Sequence, residues 1–202
     1  MLLSAIIIAK NEEKNLKRAV ESLNFADEII VADDASTDKT KSLAKELGAK
    51  IVDLDITDSF AAKRNQASQV AQGDWLLFLD ADEVINPDLQ KTIKDILNEA
   101  KYHVYYLKRR DIFWGRELRY GELKKVYQQG LIRLVKRKSG SWVGKVHETF
   151  QTDLPAGRLK GFIDHYPHPT VKDFLLQVNS YSSLRARELA ATGKKAHIGE
   201  II

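Results

Sequence analysis

The amino-acid sequence predicts an α/β protein with a mostly parallel sheet flanked by helices, an irregular antiparallel part and a C-terminal helix. In residues 1–100, short apolar runs alternate with amphipathic segments, which is typical of βαβ units. After residue 100 the pattern changes to short aromatic and β-branched runs separated by glycine-containing loops. From Val171 onward a helical periodicity of apolar residues returns.

Apolar runs bounded by polar residues are the predicted strands. In the first hundred residues these runs are Leu2 to Ala9, Glu28 to Ala32, Lys50 to Leu54 and Trp75 to Leu79. In the second half they include His103 to Leu107 and Gly130 to Val135. We expect the first four to be parallel and the later ones to be antiparallel.

Four helices are predicted in the first hundred residues, at Glu12 to Leu23, Asp38 to Leu47, Phe60 to Gln72 and from Asn86-Pro87 onward. Each has apolar residues at helical spacing, as in the stripe formed by Leu16, Ala19, Val20 and Leu23. Gly48 and Gly73 are expected just past helix C-termini, where glycine is favoured. Asn86 and Pro87 are expected as N-cap and first-turn residue.

Composition indicates a globular protein. The chain has 202 residues, of which 44% are hydrophobic and 30% charged, enough for one large domain. It has no cysteine, which excludes disulfides and thiolate metal ligands. No apolar run approaches the roughly 20 residues that span a bilayer. Leu2 to Ala9 lacks the basic leader of a signal peptide, so a cytoplasmic protein is expected.

The charge is unevenly distributed along the chain. Residues 1–100 carry 12 basic and 19 acidic residues, whereas residues 101–202 carry 20 basic and 9 acidic, a balance of +11. Basic clusters occur at Lys108-Arg109-Arg110, Lys124-Lys125 and Lys136-Arg137-Lys138. The second half is therefore expected to face an anionic acceptor, nucleic acid or an anionic membrane surface. Solvated surface charge without a partner is the alternative.

Two carboxylates follow the predicted strand Trp75 to Leu79. Asp80 and Asp82 are two residues apart, so an extended chain directs both side chains to the same side. Open α/β sheets bind ligands at the carboxyl ends of their strands. Mg²⁺ or Mn²⁺ bridging to substrate phosphates is the expected occupant. Alternatively, both residues serve only a strand-to-helix turn.

Polar residues at three strand ends take the place of a glycine-rich phosphate loop. The sequence contains neither G-x-G-x-x-G nor G-x-x-x-x-G-K-[ST], and its first glycine is Gly48. Asn11-Glu12, Asp33-Asp34 and Asp80-Ala81-Asp82 follow the first, second and fourth predicted strands. These ends converge in a parallel sheet, where carboxylates could bind a base or ribose and hold a metal against a diphosphate.

The first ninety residues resemble the family 2 glycosyltransferases of the GT-A fold. The resemblance is carried by four segments: Ala5 to Glu13, Val31 to Thr40, Ala62 to Ala67 and Leu77 to Glu83. It implies a Rossmann-like GT-A sheet, a nucleoside-diphosphate sugar donor with UDP favoured, nucleoside contact by Asp34, and a DxD motif at Asp80 and Asp82. The expected nucleotide-sugar-binding residues are Asn11, Glu12, Asp33, Asp34, Arg64, Asp80 and Ala81.

The second half is similar to the lipopolysaccharide core glucosyltransferase branch of that family. The similarity lies in Arg133-Leu134, Trp142, Val146-His147-Glu148, His165-Tyr166 and the helix containing Tyr181. It implies an anionic saccharide or glycolipid acceptor in cell-envelope synthesis, and a position at the inner face of the cytoplasmic membrane. We expect a single domain with a nucleotide-sugar half, 1–100, and an acceptor half, 101–202. Arg133, Trp142 and His147 are the candidate acceptor-binding residues.

An inverting transfer needs a general base for the acceptor hydroxyl and an electrophile for the departing diphosphate. Glu148 is the first candidate base and Asp111 the second. The metal, Mn²⁺ or Mg²⁺, is expected on Asp80 and Asp82, with His165, or less favourably His147, completing its ligands. Structural hydrogen bonding is the alternative role for both histidines. Trp114 and Trp142 could stack on a sugar ring or fill the core.

Two other functions remain open at the level of the sequence. Nucleotidyl transfer also uses a metal and a nucleotide, but it normally needs a basic phosphate-binding loop near the N-terminus, for which Lys10 alone is thin evidence. A non-catalytic module could bind a membrane or RNA through the basic half, although no RNA-binding motif is present. Calorimetry with UDP, with and without Mn²⁺, separates the two enzyme classes from the binding module.

Overall fold

The structure, a computed structural model, describes residues 2–55, 59–118, 123–144, 148–167 and 170–191. The strands are β1 Leu3–Ala9, β2 Glu28–Asp33, β3 Lys50–Asp53, β4 Trp75–Asp80, β5 Glu83–Ile85, β6 Val104–Phe113, β7 Arg116–Leu118, β8 Leu131–Lys136, β9 Ser141–Val143, β10 Thr149–Gln151 and β11 Ala156–His165. The helices are α1 Leu16–Glu21, α2 Thr40–Glu46, α3 Phe60–Val70, α4 Pro87–Asn98, α5 Leu123–Gln129 and α6 Val171–Ala191.

One large sheet has the strand order β3-β2-β1-β4-β8-β6-β11-β5, and β7 pairs with β6. The first four strands of this order are parallel, as predicted. Strand β8 is antiparallel to both β4 and β6. Strand β11 is parallel to β6, and β5 is antiparallel to β11. The predicted antiparallel part therefore continues the same sheet, with one parallel pair inside it.

The directions of the strands determine where the polar residues meet. Because β8 is antiparallel to β4 and β6, those two strands run in the same direction. The carboxyl ends of β1, β2, β4 and β6 therefore lie at one edge of the sheet. Open α/β sheets bind their ligands outside this edge.

Both faces of the central strands are buried, which explains why their sequences are continuously apolar. In β1, Ile7 packs into a core cluster with Leu16 of α1, whereas Ile6 packs into a second cluster with Ala67 of α3. Six of the seven residues of β1 and five of the six of β4 are buried. An apolar run without alternation thus marks a strand covered by helices on both sides.

Helix α1 is shorter than predicted, although its buried stripe is the predicted one. The segment before it forms a turn whose backbone is bonded to the neighbouring loop. Glu12 N–H donates to Thr40 Oγ1 at 2.8 Å, and Glu13 N–H donates to Asp38 Oδ2 at 3.1 Å. These bonds tie the end of β1 to the loop after β2.

The helix boundaries confirm two of the three predicted end signals. Gly48 follows α2 with a φ of 77°, and Asn86 Oδ1 caps α4 by accepting from Leu89 N–H at 2.9 Å. Gly73 was expected to end α3, but that helix ends at Val70. A Cβ at Gly73 would lie 2.5 Å from the Ser4 backbone nitrogen, so close approach to β1 requires glycine there.

The chain divides into two compact units, residues 1–166 and 167–202. The first unit contains the whole sheet, to which strands from both sides of residue 100 contribute. The second contains α6, the helix predicted from Val171. Across the part of the chain that the structure describes, no helix combines the length and apolar character needed to cross a membrane.

Candidate active site

The polar residues predicted to converge lie at one edge of the sheet. Asp33 is the last residue of β2 and Asp80 the last of β4. Parallel pairing aligns Ala9 of β1 with Asp33, and Ile8 with Asp80. The strand ends are thus adjacent because β1 lies between β2 and β4.

Asn11 joins the first two strand ends. Its φ is 56°, a left-handed conformation that asparagine adopts more readily than most residues. Its backbone N–H donates to Ser36 Oγ at 2.9 Å, and its Oδ1 accepts from Thr37 N–H at 2.8 Å. In these contacts Asn11 positions the loop that follows Asp34.

The two carboxylates after β2 have different partners. Buried Asp33 accepts from Ser36 N–H at 2.9 Å, and its Oδ2 lies 3.6 Å from Lys41 Nζ. Asp34 Oδ2 lies 2.7 Å from Nζ of Lys63, whose side chain is 4% exposed. The sequence assigned no role to Lys63, although it lies in one of the segments that carry the family resemblance.

Asp80 is held between two arginines. Its Oδ1 accepts from Arg64 Nη2 at 2.7 Å, and its Oδ2 accepts from Arg133 Nη2 at 2.6 Å. Burial would raise the pKa of Asp80, but the charges of Arg133 and Arg64 lower it far below its usual range. Asp80 is therefore an ionised carboxylate in the folded protein.

Glu83, the first residue of β5, is the fourth charged side chain of this cluster. Its Oε1 lies 3.2 Å from Arg133 Nη2, and its Oε2 accepts from the Asp80 N–H at 2.9 Å. Burial raises the pKa of the fully buried Glu83, and the charge of Arg133 opposes that rise. Arg133 was predicted to bind the acceptor, but its side chain is 5% exposed and its described contacts are with these carboxylates.

Arg64 connects Asp80 to the first candidate base. Its Nε donates to Glu148 Oε1 at 3.0 Å, although the two residues are 84 positions apart. Its buried Nη1 has no hydrogen-bond partner among the residues that the structure describes. The predicted nucleotide-sugar residue Arg64 and the predicted base Glu148 are thus in direct contact.

Trp142, for which the sequence left open either sugar stacking or core filling, fills the core. It is 6% exposed and lies edge-on to Phe78 and Phe150, with ring centroids 5.0 and 5.5 Å apart. The guanidinium of Arg64 lies 4.9 Å from the centre of its ring. Because these neighbours surround the indole, its surface does not offer an open face to a sugar. Trp114, in contrast, is 54% exposed.

Asp82, His165 and Asp111 form a line of hydrogen-bonded side chains. His165 Nε2 lies 3.2 Å from Asp82 Oδ2, and His165 Nδ1 lies 2.9 Å from Asp111 Oδ1. Burial would lower the pKa of His165, but its bonds with Asp111 and Asp82 raise it to about 9. Burial would likewise raise the pKa of Asp111, but the bond with His165 and the charge of Arg109 lower it. Asp111, the second candidate base, thus orients His165.

Glu12 and Ala81 complete the predicted set on this edge. Burial raises the pKa of Glu12, the Asn15 hydrogen bond opposes the rise, and the charge of Asp82 adds to it. Ala81 is buried in the core, 4% exposed, between the two aspartates. Within the described residues, no group of three or more histidine, aspartate and glutamate side chains has an arrangement that could hold a metal ion.

Several residues with a predicted role are either outside the described part of the chain or paired with other side chains. His147, a candidate acceptor and metal residue, is outside the described residues, as are the side chains of Lys124 and Lys125. Arg109 and Arg110 are not free surface charges, because Arg109 lies 3.2 Å from Asp111 and Arg110 donates to Asp164 at 3.1 Å. Part of the basic charge of the second half is therefore neutralised inside the structure.

A mostly parallel sheet with aspartates at its carboxyl edge is the architecture of a GT-A glycosyltransferase. Residues 4–151 match the family described as glycosyl transferase family 2. A relative described as an uncharacterized glycosyltransferase from Rickettsia typhi is 32% identical, over 96% of this chain and 70% of its own length. The chain belongs to glycosyl transferase family 2.

Further similarities extend to a second relative and to solved structures. A lipopolysaccharide core biosynthesis glycosyltransferase, LpsC of Rhizobium meliloti, is 28% identical over 99% of this chain and 76% of its own length. Staphylococcus aureus TarS 1-349, solved with UDP-GlcNAc, has a TM-score of 0.50 and 29% identity, covering 58% of this chain and 37% of the TarS 1-349 chain. A mycobacterial protein with a TM-score of 0.62 is 17% identical over 85% of this chain and 69% of its own, and supports the fold alone.

Proposed function

We propose that this enzyme transfers a sugar, with inversion, from a nucleoside-diphosphate sugar to an anionic saccharide or glycolipid, and that it requires a divalent cation. The observation that carries the proposal is the 3.2 Å approach of Asp82 Oδ2 to His165 Nε2 at the carboxyl edge of the sheet. Membership of family 2 favours sugar transfer over the nucleotidyl transfer and non-catalytic binding considered above.

The donor atoms of Asp82 and His165 fit one divalent cation. Their oxygen and nitrogen atoms lie 3.2 Å apart, carboxylate and imidazole both bind Mn²⁺, and the Nε2 proton of His165 would leave as the ion binds. A metal-binding histidine usually donates its other ring N–H to a carboxylate, and Asp111 occupies that position for His165. Mg²⁺ or Mn²⁺ bound there would neutralise charge on the departing diphosphate. Both carboxylate oxygens of Asp80, which was also predicted as a metal ligand, accept hydrogen bonds from arginines, so Asp82 and His165 are the residues that would hold the ion.

Cationic side chains around this edge suit the phosphates of the donor. Arg64 has a buried Nη1 with no partner in the described part of the chain, and a phosphate oxygen would satisfy it. Lys63 holds Asp34, so that the carboxylate is oriented when a nucleoside binds. TarS, which shares this fold, was solved with UDP-GlcNAc, and this supports a UDP-sugar as donor.

The chemical step is a single displacement at the anomeric carbon of the donor. The acceptor oxygen forms the new bond to that carbon, while the bond from the carbon to the diphosphate oxygen breaks. Glu148 takes the hydroxyl proton of the acceptor, and Arg64 orients it through the bond to Oε1. Asp111, whose Oδ1 contacts His165 and Arg109, is the second candidate base.

The acceptor proposal depends on charge and on one relative. Residues 101–202 carry a balance of +11, and LpsC is named for lipopolysaccharide core biosynthesis. Exposed cations in this half include Arg116, Lys138 and Lys160. We propose an anionic cell-envelope saccharide as acceptor and a site of action at the inner face of the cytoplasmic membrane.

Calorimetry with UDP, with and without Mn²⁺, tests the proposal. The wild-type chain should bind UDP at least tenfold more tightly with Mn²⁺, and Asp82→Asn should lose that gain. Asp95→Asn, at an exposed position of α4, is the matched control and should behave as wild type. Equal UDP affinity with and without Mn²⁺ would contradict the metal assignment. A panel of nucleotide sugars, assayed for release of UDP or another nucleoside diphosphate, then identifies the donor.

A further inference from the structure

Phe113 and Trp114 form an aromatic pair at the tip of the β6–β7 hairpin. Asp111 of β6 is aligned with His165 of β11, and their side chains meet on one face of the sheet. Side chains two apart in a strand share a face, so Phe113 lies on the same face as Asp111, about 7 Å further along. The Trp114 ring lies against Phe113 with centroids 4.1 Å apart. The pair therefore lies on the face of the sheet that carries Asp111 and His165.

Trp114 occupies a backbone position that disfavours a large side chain. Phe113 pairs with Arg116, so Trp114 and Gly115 are the two central residues of the hairpin turn. Their φ angles are 48° and 75°. Two positive φ angles define a type I′ turn, which favours Asn, Asp or Gly, and a bulky residue in that conformation is strained.

Packing does not explain a tryptophan at this position either. Its side chain is 54% exposed, so little core burial offsets the backbone strain. A conformational outlier that neither turn preference nor burial accounts for is a reason to consider a binding role. Because β6 runs in the same direction as β4, the hairpin extends beyond the edge at which the donor site lies.

We propose that Phe113 and Trp114 form a platform that stacks on a sugar ring of the acceptor, an inference that rests on the proposed function. The C–H face of a pyranose is apolar, and a rigid aromatic surface can cover it at little conformational cost. Exposed Arg116, aligned with Phe113 across the hairpin, shares its face and fits a carboxylate or phosphate substituent. The platform therefore selects an anionic saccharide on the face that carries Asp111 and His165.

Three variants distinguish a role of the Trp114 ring in binding from an effect of the substitution on folding. Trp114→Asn removes the ring but introduces a residue that the turn favours, so the variant should melt no lower than wild type. Trp114→Phe keeps an aromatic face. Leu154→Asn removes an apolar side chain that is 42% exposed at a different surface position, and serves as the matched control.

Saturation-transfer NMR with cellobiose and its uronic-acid analogue measures saccharide binding in each variant. Wild type, Trp114→Phe and Leu154→Asn should bind the acidic disaccharide, and bind it more tightly than cellobiose. Trp114→Asn should bind it about tenfold more weakly, the loss expected for one aromatic contact. UDP affinity in Mn²⁺, measured on the same samples, should stay within about twofold.

Three results would overturn the platform. These are unchanged saccharide binding in a folded Trp114→Asn variant, no disaccharide binding by wild type at millimolar concentration, or a Trp114-dependent association with anionic phosphatidylglycerol vesicles but not with sugars. UDP binding separates this inference from the proposed function. If saccharide binding depends on Trp114 but UDP does not bind, the donor assignment fails and the platform stands. If UDP binds with Mn²⁺ and saccharide does not, the platform alone fails.

Discussion

Replacing Arg133 by methionine tests whether the buried arginine holds the carboxyl end of β4 together. Methionine is long, apolar and adaptable, so the substitution keeps much of the packing and removes mainly the charge. Arg133 Nη2 lies 2.6 Å from Asp80 Oδ2 and 3.2 Å from Glu83 Oε1. Without that charge, two carboxylates lose a shared counter-ion.

The expected loss in the free energy of unfolding depends on how deeply each charged group is buried. The Glu83 side chain is fully buried and that of Arg133 is 5% exposed, and breaking a buried ion pair costs about 3–5 kcal/mol. Asp80 keeps Arg64 at 2.7 Å and 34% exposure of its side chain, which places the expected loss near the lower end. We expect a loss of about 3 kcal/mol in the free energy of unfolding, or roughly 6–12 °C in Tm.

Urea unfolding followed by tryptophan fluorescence provides the measurement, because Trp75 is 1% exposed in the folded chain. Lys160→Met, at an exposed position of β11, is the control and should unfold as wild type does. Glu83→Gln combined with Arg133→Met should recover part of the loss, since the buried charge of Glu83, then paired only with Arg109 at 3.5 Å among its described contacts, is absent. A variant Arg133→Met within about 1 kcal/mol of wild type would refute this account of the cluster.

Three further substitutions test individual residues. Asp34→Ala should raise the KM for the donor more than it lowers kcat, because nucleoside contact is equal in ground and transition states; unchanged UDP affinity would remove Asp34 from the site. Glu148→Gln should lower kcat by about 10² to 10⁴ in a nucleotide-release assay, and a loss of only a few-fold would place the base elsewhere. Burial would raise the pKa of Glu28, but hydrogen bonds from Gln72 N–H and Ser4 Oγ lower it below 4.5. The stability that Glu28 contributes is therefore present above pH 4.5 and lost as the pH falls through its lowered pKa. Glu28→Gln should flatten that acid loss in urea titrations, and an unchanged pH profile would exclude this contribution.

The local sequence pattern was sufficient to predict the parallel half of the sheet. The apolar runs of β1 and β4 predicted strands buried on both faces, and the cap at Asn86 predicted the start of α4. The polar residues after β1, β2 and β4 could also be placed together, because parallel strands bring their carboxyl ends to one edge. Each of these inferences depends on residues that are close in sequence or on a general rule of chain topology.

Contacts between distant residues were decided by the tertiary structure. Arg133 was assigned to the acceptor site on the resemblance of the second half to the lipopolysaccharide core branch, yet Asp80, 53 positions away, makes it a buried counter-ion. Gly73 matched a helix end, but the close approach of Ser4 is what requires glycine.

The same distinction holds at the candidate active site. The sequence by itself determined which residue types lie at the edge of the sheet, since the βαβ pattern predicts parallel strands whose carboxyl ends meet there. The sequence analysis placed Asp82 and His165 together as metal ligands, but only the tertiary structure paired Arg64 with Glu148, across 84 positions. Ion pairs and hydrogen bonds act over a few ångströms in space, and no periodicity along the chain records which distant side chains the fold brings within that range.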